Sequence, residues 1–165
     1  MVELISVPKD TEDFLCAHGF SGTGAGKTPG PSHGSRRFDV LMYFDRQGRL
    51  RATIPCERVV EREVEVLVTR RCSSIAATAE RLSGQLNGLS SIVSMDATLS
   101  SDGNVTVDCL RAYLSEGFEV AHRAGAEIMK WLLLEHCFGS TNISDEWQDG
   151  VQMIPYQAAV FVLPD

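Results

Sequence analysis

The chain has 165 residues and a mass of 18.1 kDa, the size of one ordinary domain. Hydrophobic residues make up 44% and charged residues 22%, so most of the chain can bury a core, and no apolar run approaches the roughly 20 residues that span a bilayer. The formal net charge of −7 speaks against a general nucleic-acid or membrane-surface binder, because such proteins are usually basic.

The start, Met1-Val2-Glu3-Leu4, lacks the charged, apolar and small succession of a signal segment, and a cytoplasmic protein is expected. Residues 10–18 read as a short helix. Asp10 or Thr11 can cap it, acidic residues fill its first turn, and Gly19 can end it. Residues 19–35 are dense in Gly, Ser, Thr and Pro and read as a flexible loop.

Three strands are expected next. In 37–45, Phe38, Val40, Met42 and Phe44 share one face, with Asp39, Leu41, Tyr43 and Asp45 on the other. Asp45-Arg-Gln-Gly48 suits a hairpin turn. In 49–55, Leu50, Ala52 and Ile54 oppose Arg49, Arg51 and Thr53, and Pro55 and Cys56 interrupt the strand. In 62–70, Val64, Val66 and Val68 oppose Glu63, Glu65 and Leu67.

Ile75, Ala79, Leu82 and Leu86 recur at helical spacing over 73–87, with Ser73 or Ser74 as N-cap and Asn87-Gly88 as the stop. Strands 91–99 and 104–112 form a second hairpin across Ser100-Ser-Asp-Gly103. A long helix is expected over 116–137. Its apolar stripe is Phe118, Ala121, Gly125, Ile128 and Leu132, and Glu119 and Arg123 form an i,i+4 pair. Residues 139–150 read as polar linker, and 151–163 as an extra strand that Pro155 and Pro164 confine to an edge. The order α-β-β-β-α-β-β-α plus a tail predicts an α+β fold with a mostly antiparallel sheet, in one domain spanning 1–165.

Little in this sequence points to catalysis. Gly22-Thr-Gly-Ala-Gly-Lys-Thr28 looks like a phosphate-binding loop, but the spacing requires Gly at position 21, which is Ser21. Pro29-Gly-Pro31 follows at once, so no regular helix can present its amides to a phosphate. Gly19-Phe-Ser21-Gly-Thr23 likewise misses the nucleophile-elbow spacing by one residue. Cys16, Cys56, Cys72, Cys109 and Cys137 include no C-x-x-C pair, and five reduced, mostly buried thiols are expected. His18, His33, His122 and His136 have no partner that sequence can identify. Asp96 and Asp108 can be cross-strand neighbours, on a solvated face. No metal site and no cofactor are expected.

Two features stand above background. Residues 36–71 hold nine arginines against six acids, while residues 80–165 hold four basic residues against twelve acids. The arginines, Arg49 and Arg51 among them, either pair with neighbouring carboxylates or face a complementary protein surface. Leu41, Tyr43 and Leu67 are apolar on the face opposite the expected core, so either the C-terminal tail or another chain covers them.

The motifs Phe44-Asp-Arg-Gln-Gly-Arg-Leu-Arg51, Ala79-Glu-Arg-Leu-Ser-Gly-Gln-Leu-Asn87, Met95-Asp-Ala-Thr-Leu99 and Ser101-Asp-Gly-Asn-Val-Thr-Val107, with the final helix, give residues 36–137 a resemblance. They resemble the YbjN family of bacterial sensory transduction regulators, within the type III secretion chaperone-like fold. The loop at 19–35 and the tail at 139–165 look like additions.

The resemblance implies a small cytoplasmic protein without a known active site, whose relatives bind other proteins, the secretion chaperones as acidic homodimers. The acidic charge leaves no nucleic-acid or membrane partner expected. A non-catalytic homodimer, chaperone-like or regulatory, that binds another protein or a peptide segment is expected. Leu41, Tyr43, Leu67, Arg49 and Arg51 are its expected binding residues. Alternatives are a small enzyme using a cysteine or the Gly-rich loop, and a structural subunit that docks through its C-terminal tail.

Overall fold

The computed structural model describes residues 34–61, 63–86, 92–139 and 142–155. The helix expected at 10–18, nearly all of the loop at 19–35 and the tail beyond Pro155 lie outside them.

Six strands form one sheet: β1 (Arg36–Phe44), β2 (Leu50–Glu61), β3 (Val64–Thr69), β4 (Ile92–Leu99), β5 (Val105–Arg111) and β6 (Gln152–Met153). Their order across the sheet is β5-β4-β1-β2-β3-β6, and every neighbouring pair is antiparallel. Three helices complete the described fold: α1 (Ser73–Ser83), α2 (Gly117–Arg123) and α3 (Ile128–Phe138). The fold is α+β with an antiparallel sheet, as expected. No helix among the described residues is long and apolar enough to cross a membrane.

The face under α1 follows the sequence alternation. Phe38, Val40, Met42 and Phe44 pack with Val93, Met95, Ala97, Leu99 and Leu110 beneath Ile75, Ala79, Leu82 and Leu86. Cys72, and not Ser73 or Ser74, is the N-cap residue of α1.

The other face is a second core and not a solvated surface. Leu41, Tyr43, Ile54, Cys56 and Leu67 lie under Val120, Ala121, Ile128, Trp131 and Trp147. Each large apolar side chain buried this way stabilises the fold by about 1.5–3 kcal/mol. Trp147, from the expected polar linker, is 3% exposed.

Two further expectations need correction. β2 does not stop at Pro55 but runs on to Glu61. The Pro55 carbonyl accepts the Arg70 amide at 2.9 Å, so the proline nitrogen also faces the β3 side, at the point where the β3 ladder ends. No donor is lost from the β1–β2 ladder, and the strand continues. The helix expected over 116–137 is broken into α2 and α3. Gly125 adopts φ +98 between them, a conformation that L side chains rarely take. The corner lets α3 lay Ile128, Trp131 and Glu135 against the sheet on its own line.

Candidate functional site

The five expected binding residues do not form one surface. Leu41 and Tyr43 are fully buried and Leu67 nearly so, covered by α2, α3 and the C-terminal segment of their own chain. The Tyr43 hydroxyl donates to Glu135, whose other oxygen accepts the Arg46 amide at 3.0 Å. The Tyr43 and Trp131 rings lie 5.7 Å apart. Burial, reinforced by Glu135, pushes the Tyr43 phenol above its ordinary value.

Arg49 and Arg51 serve the β1–β2 turn. Buried Asp45 accepts the Gln47 and Arg49 amides at 3.0 and 2.9 Å, Arg49 Nε at 2.8 Å and an Arg51 nitrogen at 3.1 Å. Burial alone would raise the Asp45 carboxyl, but the Arg49 amide and the two guanidinium groups outweigh it and hold it below its usual range.

Most of the other described arginines of residues 36–71 are also neutralised within the chain. Arg36 binds Glu57 through two hydrogen bonds of 2.7 and 2.8 Å, and Arg70 joins the same carboxylate at 3.4 Å. Arg71 pairs with Asp145 at 3.3 Å and lies 4.3 Å from the Trp147 ring. Arg37 and Arg58 share Glu65, and Arg58 also reaches Glu116 at 3.1 Å and Asp39 at 3.5 Å. Mutual pairing therefore accounts for most of the arginine excess. Glu119 and Arg123, the expected helical pair, make no ion pair among the described residues.

Arg37, Arg58, Asp96, Asp108 and Arg111 line a small cleft of about 190 Å³ at the polar end of the second face. A bulge places Cys109, and not Asp108, opposite Asp96. Asp96 pairs with Arg111, and Asp108 accepts the Thr98 hydroxyl at 2.7 Å.

Beside this cleft, fully buried Asp39 accepts the Ser115 hydroxyl at 2.6 Å and the Gly117 amide at 3.0 Å. Burial raises its carboxyl above the usual range, against the lowering pull of Ser115, Gly117 and Arg58. Cys56 lies next to it, and burial and the Asp39 charge push its thiol well up. A thiol so placed stays protonated and unreactive near neutral pH. Cys72 and Cys109 are half-buried and Cys137 is exposed, so the thiols are less enclosed than expected. Among the described residues no group of three metal-ligating side chains occurs.

Among the described residues, two apolar surfaces beside the second core are open to solvent. On α3, Met129, Leu133 at 62% exposure and Cys137 share the outward face, and Phe138 is exposed at the helix end. The run Trp131-Leu-Leu-Leu134 holds more apolar residues than one buried stripe needs, and that excess is the sequence signal for this face. The second surface is a groove between α2 and β6. Two adjoining hollows of about 510 and 460 Å³ share Phe118, Glu119 and Met153. Asp39, Glu135 and Trp147 carry no sequence signal beyond being polar on an apolar strand, acidic in an apolar helix, and aromatic in a polar linker.

No family model matches the chain, and no curated protein matches it. Among solved structures, the biotin carboxylase domain of the Hydrogenobacter thermophilus 2-oxoglutarate carboxylase aligns with a TM-score of 0.47 and 13% identity, over 74% of this chain and 29% of that one. An L-amino acid ligase from Bacillus licheniformis aligns with a TM-score of 0.46 and 10% identity, over 76% of this chain and 45% of that one. This chain thus spans less than half the length of either, and likeness at this level carries no argument about activity.

Proposed function

We propose that this chain is a non-catalytic protein-binding module, chaperone-like or regulatory, that acts as a cytoplasmic homodimer. In this reading residues 36–137 are of the YbjN and type III secretion chaperone-like kind, a reading that their hairpin, helix, hairpin, helix order supports. The single observation that carries it is the outer face of α3, where Met129, Leu133 and Cys137 are open to solvent among the described residues.

A second copy is the occupant that the charge pattern favours. A two-fold contact sets each residue against a like surface, so an uncompensated charge repels itself. On this face Lys130 is neutralised by Glu127 at 2.6 Å, three positions before it. The buried carboxylates and the buried thiol are engaged in holding strands and helices together, which favours binding over catalysis.

Light scattering of the purified chain tests the reading. The wild type is expected at twice the monomer mass at micromolar concentration. Leu133→Asp is expected as a monomer with an unchanged circular dichroism spectrum. A monomeric wild type would sink the homodimer.

A further inference from the structure

Among the described residues β6 is the edge strand of the sheet, with no strand beyond it, and it lies next to an apolar groove. Thr69 donates its amide to the Val151 carbonyl at 2.9 Å, and the Val151 amide donates to the Thr69 hydroxyl at 3.0 Å. Both polar groups of Val151 therefore face β3. In an antiparallel ladder successive residues alternate between facing the neighbour and facing away. Met153, opposite Leu67, faces β3 again, so Gln152 turns its N–H and C=O outward. The side chains of Val151 and Met153 belong to the α2 side of the sheet. A seventh strand laid beside β6 would drop every second side chain into the groove between β6 and α2.

The groove has chemistry that selects an occupant. Phe118, Val151 and Met153 make its apolar wall. Exposed Glu119 and Arg123 stand on its rim one helical turn apart and make no ion pair among the described residues.

We propose that the β6 edge and this groove receive an extended segment of a partner protein, added as a seventh strand, apolar at alternate positions, with a base meeting Glu119 and an acid meeting Arg123. Strand addition draws affinity from the main chain and selectivity from the side-chain groove. The proposal rests on the protein-binding reading and gives it a ligand class and a site distinct from the α3 face.

The test starts with a random heptapeptide phage library panned against the purified full chain. Selected peptides are expected to alternate apolar residues and to carry a base and an acid toward opposite ends. Fluorescence anisotropy then measures the labelled consensus peptide against variants. Gln152→Pro removes only the outward N–H, so it is expected to weaken binding at least tenfold with the melting temperature unchanged. Glu119→Lys is expected to weaken binding, and exchanging the peptide's base for an acid is expected to restore it.

In the free chain the Gln152 amide is expected to exchange quickly with solvent and to become protected when the peptide binds. A library that yields no alternating peptide, or peptides indifferent to both variants, overturns the proposal. So does slow Gln152 exchange in the free chain, because a second copy or the chain's own C-terminal residues then hold the edge. The mass of Leu133→Asp reads the homodimer separately, so each idea can fail without the other.

Discussion

Asp39, in the interior strand β1, accepts the amide hydrogen of Gly117 at 3.0 Å across 78 residues of sequence. With the Ser115 hydroxyl on its other oxygen, this one carboxylate fixes where α2 begins over the sheet. Asp39→Ala leaves the Gly117 amide and the Ser115 hydroxyl without their acceptor. It is expected to cost about 1–3 kcal/mol, read by denaturant unfolding. Asp39→Asn, which keeps one acceptor oxygen, is expected to cost less.

Gly117 allows that approach because it has no side chain. A Cβ there would stand 3.2 Å from the Asp39 carboxyl carbon and 3.4 Å from Cys56 Sγ. Gly117→Ala is expected to destabilise by about 1–3 kcal/mol through overpacking. Adding Cys56→Ala to it should recover part of the loss in a double-mutant cycle. Full additivity of the two changes would refute this packing account.

The buried acids give stability opposite dependences on pH. Asp45 and Glu57 are held below their ordinary values of 3.8 and 4.5, Glu57 first by its hydrogen bonds from Arg36. Their contribution is present above those values and is lost as pH falls through the lower folded ones. Asp39 is raised by burial, so its contribution is greatest at acid pH and is lost as pH rises through its folded value. In acid titrations of stability, Asp45→Asn and Glu57→Gln should flatten the acid limb. Asp39→Asn should flatten the loss on the alkaline side of the Asp39 transition.

Tyr43→Phe removes the hydroxyl that Glu135 accepts in the second core. An expected loss of about 1–2 kcal/mol follows from leaving a buried carboxylate short of a donor. Ultraviolet titration of the wild type should show one tyrosine resisting ionisation until the chain unfolds. Ordinary titration of all tyrosines in the folded state would contradict its buried setting.

Trp147→Ala empties a site filled by a buried aromatic ring against which Arg71 stacks. The expected cost is about 3–5 kcal/mol, and Arg71→Ala should cost much less. Thermal melts of the two variants compare these directly.

The α1 face could be read from the sequence because its residues follow strict strand and helix periods. Phe38, Val40, Met42 and Phe44 alternate, and Ile75, Ala79, Leu82 and Leu86 return every three or four positions. The second face was visible only as a breach of alternation, at Leu41, Tyr43 and Leu67. Its cover could not be assigned, because the one continuous period over 116–137 hid the corner at Gly125. Periodicity records burial on one line and cannot show a backbone turn between two lines. The arginines behaved similarly: composition gave their excess, and only strand register paired Arg58 with Glu65 and Arg36 with Glu57.

The segment from Asn142 to Pro155 reaches its place late in the chain's own logic. The Gln148 amide grips the Ala124 carbonyl at 2.7 Å, and Val151 meets Thr69 from 82 positions away. Such a contact closes a long loop for a short ladder, whereas β1–β2 and β4–β5 close through tight turns. The hairpins should therefore nucleate the sheet, with this segment clasping it afterwards and releasing it first under mild denaturant. Trp147 fluorescence would then change ahead of global unfolding, reporting a partly open species in which α2 and α3 are held by their packing alone.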